Sequence, residues 1–189
     1  KHLCDKPEKL VFHGSFETNS EMSNILLLLP KTKGPFGTKK FEKLIKDDFN
    51  LLKYDDVLSE ESGFFKTSDI ISLEDKALAI NIALEKWKGI KFHIICHSTG
   101  CGLGTFLAKN NIEDCKSLIL ISPWNKEDEE FISLQKERVK NLKNLQTIIY
   151  LKSECNLLYS SDYIQKYKLQ FNEHILNQKD KSFDVVNIE

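Results

Sequence analysis

Cys96-His97-Ser98-Thr99-Gly100 holds the residue types for nucleophilic acyl transfer at a spacing that suits it. The stretch directly follows the apolar run Ile90-Lys91-Phe92-His93-Ile94-Ile95 and precedes the helix-like Leu103-Gly104-Thr105-Phe106-Leu107-Ala108-Lys109. A serine hydroxyl is a weak nucleophile until its geometry is forced. A sharp strand-to-helix turn does this by lifting the serine into the open, with the next backbone N–H aimed at the same spot. Such a turn demands small residues two before and two after the serine. Cys96 and Gly100 meet the demand, with Cys96 standing where glycine is the commoner choice. The segment reads as a nucleophile elbow, with Ser98 at its tip facing a cleft and Thr99 opening the helix.

Other chemistry fits less well. Gly100-Cys101-Gly102-Leu103-Gly104 follows a strand as a dinucleotide loop would, but Ser122-Pro123 stands where the next strand should end in an acidic ribose partner. The five cysteines, Cys4, Cys96, Cys101, Cys115 and Cys155, are an odd number with no CxxC pair. They suggest neither a disulfide framework nor a zinc site, and reduced thiols in a cytoplasmic protein are the simpler expectation. No metal or organic cofactor is called for.

Composition narrows the class. With 189 residues and 41% hydrophobic content, one core and a single domain over 1–189 are expected. The 27 Lys+Arg are scattered among 28 Asp+Glu, so the basic stripe of a nucleic-acid binder is missing and nucleic acid is not an expected partner. No apolar run approaches the roughly 18 to 20 residues of a transmembrane helix. The first residue is Lys1 rather than Met, which reads as trimming of a longer product. Oligomeric state is left open.

Apolar runs alternate with helix-period segments along the chain, the pattern of an α/β fold with a mostly parallel, doubly wound sheet. Leu10-Val11-Phe12 and the segment around Phe16 read as an antiparallel lead-in turning at His13-Gly14. Ile25 to Leu29 is a buried strand stopped by Pro30, and Phe41, Leu44 and Ile45 recur at helical spacing. Phe49 to Tyr54 is a strand. Ser72 with Asp75 forms a capping box for a helix whose face is Leu73, Ala77, Ile80, Leu84 and Trp87, ended by Gly89. Ser117 to Ile121 reads as a further buried strand. Asn125 to Asn144 is expected to form a small helical cap beside the cleft, with Trp124 and Phe131 as apolar wall. Thr147 to Leu151 reads as the penultimate strand, Ser160 to about Gln178 as the last helix and Phe183 to Ile188 as the last strand.

With that order in hand, nearly the whole chain resembles the α/β-hydrolase superfamily, in its serine aminopeptidase and lipase-like esterase branch. Leu26-Leu27-Leu28-Leu29-Pro30 resembles the family's strand and oxyanion loop. Leu51-Leu52-Lys53-Tyr54-Asp55-Asp56 with Glu61-Ser62-Gly63 resembles its YD…G.S.G segment, Cys96 to Gly100 its elbow, and Leu120-Ile121-Ser122-Pro123 the strand that follows.

The resemblance implies an α/β-hydrolase fold with a small helical cap and a set of roles. Ser98 becomes the nucleophile, and the oxyanion is held by the backbone N–H of Thr99 with one from Lys31 or Thr32. Lys31 occupies a place where the family usually has glycine. The acid is expected after the penultimate strand, in Lys152-Ser153-Glu154-Cys155-Asn156. Spacing puts the family's aspartate at Asn156 or Cys155, Glu154 is the nearest carboxylate, and Asp162, Glu127 and Asp128 are alternatives.

The base is a histidine after the last strand, expected beyond Glu189. None of the five histidines present fits it. His97 is the usual filler before the serine, His13 belongs to an early turn, His93 to a buried strand, and His174 lies about 18 Å along the last helix. His2 is near the start. The expected activity is hydrolysis of an ester or thioester of a small or medium acyl substrate through an acyl-enzyme on Ser98. The alternative is a catalytically inactive α/β-hydrolase domain used as a binding or scaffold module.

Overall fold

The structure is a computed structural model that describes residues 12–16, 19–29, 38–54, 72–126 and 128–178. The chain divides into two compact units, one of residues 1–30 and 41–125 and the other of 31–40 and 126–189.

The first unit is built on a sheet of β1 (Phe12–Gly14), β2 (Ser23–Leu28), β3 (Phe49–Tyr54), β4 (Phe92–His97) and β5 (Cys115–Ile121), in the order β1-β3-β2-β4-β5. All pairings are parallel except β1 with β3. Parallel neighbours need crossovers, and helices supply them. These are α1 (Lys39–Ile45), α2 (Leu73–Leu84) and α3 (Thr99–Asn110).

Alternation along each strand sorts side chains to two faces. On one face Leu26, Leu28, Leu52, Ile94 and Cys96 pack with Ala77, Ile80 and Leu84 of α2 and Leu103 and Leu107 of α3. On the other, Ile25, Leu27 and Ile95 meet Phe41 and Ile45 of α1. Helices thus cover both faces, which is why β2 reads as one continuous apolar run. The mostly parallel α/β sheet expected from the alternation is present. So is the capping box, with Ser72 Oγ accepting from Asp75 N–H at 3.1 Å and Ser72 N–H donating to Asp75 Oδ2 at 3.2 Å.

At the amino ends of the central strands, Asn50 Nδ2 donates to Asn24 Oδ1 at 3.0 Å and to the Asn19 carbonyl at 2.7 Å. Asn24 Nδ2 donates to the Lys91 carbonyl at 3.0 Å. Both side chains are buried and bonded, so the network pins the register of β2, β3 and β4 without an unpaired polar group.

At the same end, Gly89 N–H donates to Asp114 Oδ2 at 2.9 Å and Lys91 Nζ to Oδ1 at 3.0 Å. The Gly89 amide first, and Lys91 after it, hold the Asp114 carboxyl below its ordinary value of 3.8. A carboxylate depressed by folding stabilises above its unfolded pKa, and that contribution is lost as pH falls through the folded one. Asp114→Asn is therefore expected to lower stability near neutral pH by no more than about 1 kcal/mol, because Lys91 is half exposed. Urea unfolding of both proteins should show the difference near neutrality and its loss in acid well below 3.8.

Three expectations are corrected. His13 and Gly14 lie inside β1, which pairs with β3 rather than folding back on the segment at Phe16. β5 is not buried: Ile119 is 48% and Ile121 40% exposed, and among the described residues β5 pairs with β4 alone.

The largest correction is at Thr147 to Leu151, which opens a helix in the second unit. That unit comprises α4 (Glu129–Asn144), α5 (Thr147–Leu158), α6 (Ser161–Lys166) and α7 (Lys168–Gln178). Thr-Ile-Ile-Tyr favours a strand intrinsically, but Tyr150, Leu151, Glu154 and Cys155 are buried at helical spacing. Tertiary burial of that stripe overrides local propensity. Tyr150, Leu151 and Cys155 pack with Phe171 and Ile175 of α7. The expected helix over Asn125 to Asn144 is present as α4, and the expected last helix is divided at Tyr167. The strand expected at Phe183 to Ile188 lies outside the described residues.

Candidate active site

Strand order locates the site before any side chain is considered. From β2 the chain moves to one side to make β3 and then to the other to make β4, so the order reverses between β2 and β4. Open α/β sheets bind ligands in the crevice beyond the carboxyl ends of strands at such a switch point. Ser98 stands there, one residue past the end of β4, and Leu28 of β2 pairs with Cys96.

The backbone at Ser98 is left-handed, with φ 52° and ψ −123°, and Thr99 begins α3. A non-glycine residue adopts positive φ only when its surroundings over-determine it. Here β4 ends at His97 and α3 begins at Thr99, which leaves Ser98 alone to turn the chain. Its side chain is half-buried and Thr99 is exposed. The first N–H groups of a helix have no intrahelical acceptor, so the Thr99 N–H is a donor available to an anion at the turn.

The small residues are explained by close packing. A Cβ at Gly100 would fall on the backbone carbonyl of Leu28, and one at Gly104 would come within 2.6 Å of Cys96 Sγ. Gly100 lets α3 cross the end of β2, and Gly104 makes the room that Cys96 occupies in place of the usual glycine. The Cys96 thiol reaches the Ile119 carbonyl at 3.3 Å. Burial, with Cys101 beside it, pushes the thiol up to about 12, which keeps it in its neutral form.

Of the remaining residues expected in the site, Lys31 and Thr32 lie outside the described residues, as does Glu127. Glu154 and Asn156 are on α5 of the second unit, and the loop expected to carry them is helix. Glu154 is 2% exposed and is gripped by one guanidinium: Arg138 Nε donates to Oε1 at 2.9 Å and Nη2 to Oε2 at 2.6 Å. Burial first, then the Glu154 charge, push the neighbouring Tyr150 phenol up to about 12. Glu154 thus serves as the buried anion of a helical core. Asn156 is exposed.

Asp128 caps α4, its Oδ1 accepting from Phe131 N–H at 2.8 Å, and Asp162 sits in the first turn of α6 behind the Ser160 cap. His93 Nδ1 is 2.8 Å from Ser117 Oγ. His97 is half-buried on β4, His13 is exposed on β1 and His174 is on α7 of the second unit. His2 is outside the described residues. Sequence reasoning overlooked Arg138, although an arginine in an otherwise lysine-rich helix is a signal for bidentate carboxylate pairing.

No protein-family model and no curated protein matches the sequence. Solved structures do match the fold. MenH from S. aureus aligns with a TM-score of 0.63 at 14% identity, covering 91% of this chain and 66% of that one. A structure from work on carboxylesterases of the thaumarchaeon Nitrososphaera gargenis gives 0.64 at 13% identity, covering 94% and 64%. The enol-lactonase from Burkholderia xenovorans gives 0.63 at 9% identity, covering 94% and 66%. The chain therefore spans just under two thirds of the length of each. Among the described residues no helix is long and apolar enough to cross a membrane. What these proteins share with the chain is the architecture that carries the Ser98 turn, and on that ground the chain has the α/β-hydrolase fold.

Proposed function

We propose that the chain belongs to a serine hydrolase that cleaves an ester or thioester of a small or medium acyl substrate, with Ser98 as nucleophile. The observation that carries this is the left-handed Ser98 between β4 and α3 at the switch point of the sheet. Ser98 Oγ adds to the acyl carbonyl, the Thr99 N–H donates to the developing oxyanion, and collapse of that intermediate expels the alcohol or thiol. Water then adds to the acyl-enzyme and releases the acid. Lys31 or Thr32 is assigned the second oxyanion donor through its backbone N–H. The serine proton passes to a histidine, a role this reading gives to none of His13, His93, His97 and His174. Glu154 and Asn156 take no part in it. The esterase and lactonase neighbours support the reaction class, and the proposed substrate is a small molecule.

A fluorophosphonate probe tests the proposal, because the serine oxygen displaces fluoride at phosphorus and leaves a stable adduct. In the full-length protein one adduct per chain is expected, located on Ser98 by peptide mass spectrometry, with labelling reduced by at least about a thousandfold in Ser98→Ala. An unlabelled, folded protein would favour the other reading, an α/β-hydrolase domain used as a binding module.

A further inference from the structure

Ser98 is not the only serine in an uncommon backbone conformation. Among the described residues two that are not glycine have positive φ, Ser98 at 52° and Ser122 at 51°. They stand side by side. His97 pairs with Ile121 in the parallel register of β4 and β5, and each serine is the next residue beyond its strand. Ser122 is followed by Pro123, and a residue before proline is driven toward extended, negative-φ backbone. Left-handed Ser122 is therefore disfavoured twice, by its own Cβ and by the ring that follows. Such a conformation persists where something else requires it.

The requirement lies in the carbonyl one residue back. Ser98 N–H donates to the Ile121 carbonyl at 3.0 Å, and the Cys101 thiol reaches the same oxygen at 3.4 Å. Cys101 N–H in turn donates to the Ser98 carbonyl at 2.9 Å. The left-handed serine is thus hung by its amide from the end of β5. The Ile121–Ser122 peptide plane sets where that carbonyl points, and φ of Ser122 sets how the chain leaves the plane toward Pro123. We propose that Ser122 is a positioning residue for Ser98: its left-handed turn aims the Ile121 carbonyl at the Ser98 N–H and so holds the nucleophile's backbone in place. Relaxed to extended backbone, Ser122 would swing that carbonyl away or drag Pro123 with it, and the Ser98 amide would lose its acceptor. The conformation is what matters, so glycine can replace Ser122 and a β-branched residue cannot.

The role rests on the serine-hydrolase reading only for its consequence in chemistry. The experiment therefore reads two things, hydrogen exchange at the Ser98 amide and the rate of fluorophosphonate labelling. In Ser122→Val, exchange at Ser98 should speed up by about tenfold or more while Ile94 in the middle of β4 keeps its protection. Labelling should slow by about tenfold or more. Ser122→Gly should leave both within about twofold of the parent. Should Ser122→Val fail to fold, Ser122→Thr keeps the hydroxyl and carries the same expectation in milder form. Unchanged Ser98 protection in a folded valine or threonine variant overturns the proposal, and so does equal loss in the glycine variant, which would place the role in the hydroxyl. A full-length parent protein that does not label but shows the expected exchange pattern overturns the hydrolase reading and leaves the backbone role standing.

Discussion

Gly100→Ala should cost about 3 kcal/mol or more of stability and remove the Ser98 turn with it. The added methyl would fall on the Leu28 carbonyl, and its next neighbours are also on Leu28, whose side chain is wholly buried in the central strand β2. A flexible side chain could step aside, but a backbone carbonyl in a parallel ladder cannot move without carrying its strand. The first turn of α3 would have to lift off the sheet, and the Thr99 N–H would move with it. Gly102→Ala in the same helix is the control. There the nearest atom is Leu73 Cδ1 at 3.6 Å, ordinary contact. The helix interior then gains the propensity of alanine over glycine, about 0.5 to 1 kcal/mol. Urea unfolding followed by the fluorescence of Trp87, which packs in this core, measures both variants. Equal stabilities would refute the close-approach account of Gly100.

Arg138→Ala should cost about 3 to 5 kcal/mol in the second unit, because it leaves a buried carboxylate with no cation. Glu154 is 2% exposed and both of its oxygens are held by the one guanidinium. The single change does not remove the desolvation cost of the anion, only its compensation. Replacing both partners, Arg138→Met with Glu154→Leu, removes cost and compensation together and should come within about 1 to 2 kcal/mol of the parent. Tyr150, Tyr159, Tyr163 and Tyr167 all pack in this unit, so near-ultraviolet circular dichroism of tyrosine reports it during thermal unfolding. A stable single variant, or a double variant no better than the single, would show that the pair does not organise these helices.

The elbow was legible because it is local. A strand, one turning residue and a helix occupy consecutive positions, and the demand for small neighbours at Cys96 and Gly100 is written in the same few residues. Once the structure is known, the reason is visible in the contacts of Gly100 with Leu28 and of Gly104 with Cys96. The parallel sheet was legible for a related reason. Leu26, Leu27 and Leu28 have no polar partner in their run, which suits only a strand covered on both faces.

The strand and loop expected to carry the acid were misread because a four-residue β-branched and aromatic run does not distinguish a strand from the start of a buried helix. Thr147 to Tyr150 satisfies both periodicities over so short a span, and the decision came from residues beyond it. Glu154 and Cys155 complete the stripe begun by Tyr150 and Leu151, and Arg138, sixteen residues away, pairs with Glu154 only if α5 is a helix. The same limit applied to β5, where Ile119 to Ile121 has the composition of a core strand and yet lies exposed.

By itself the sequence determined the alternation of elements, the capping box at Ser72, the turn at Ser98 and the helix that Thr99 begins. Each of these depends on neighbours within a few positions, where steric rules act directly on residue type. Tertiary structure alone decided which strands adjoin, and so that Ser98 stands at the β2/β4 switch point, that Ser122 comes beside it at the end of β5, and that Glu154 belongs to Arg138. Those relations join residues far apart in the chain, and burial and hydrogen bonding select them only when the whole sheet or helix bundle closes.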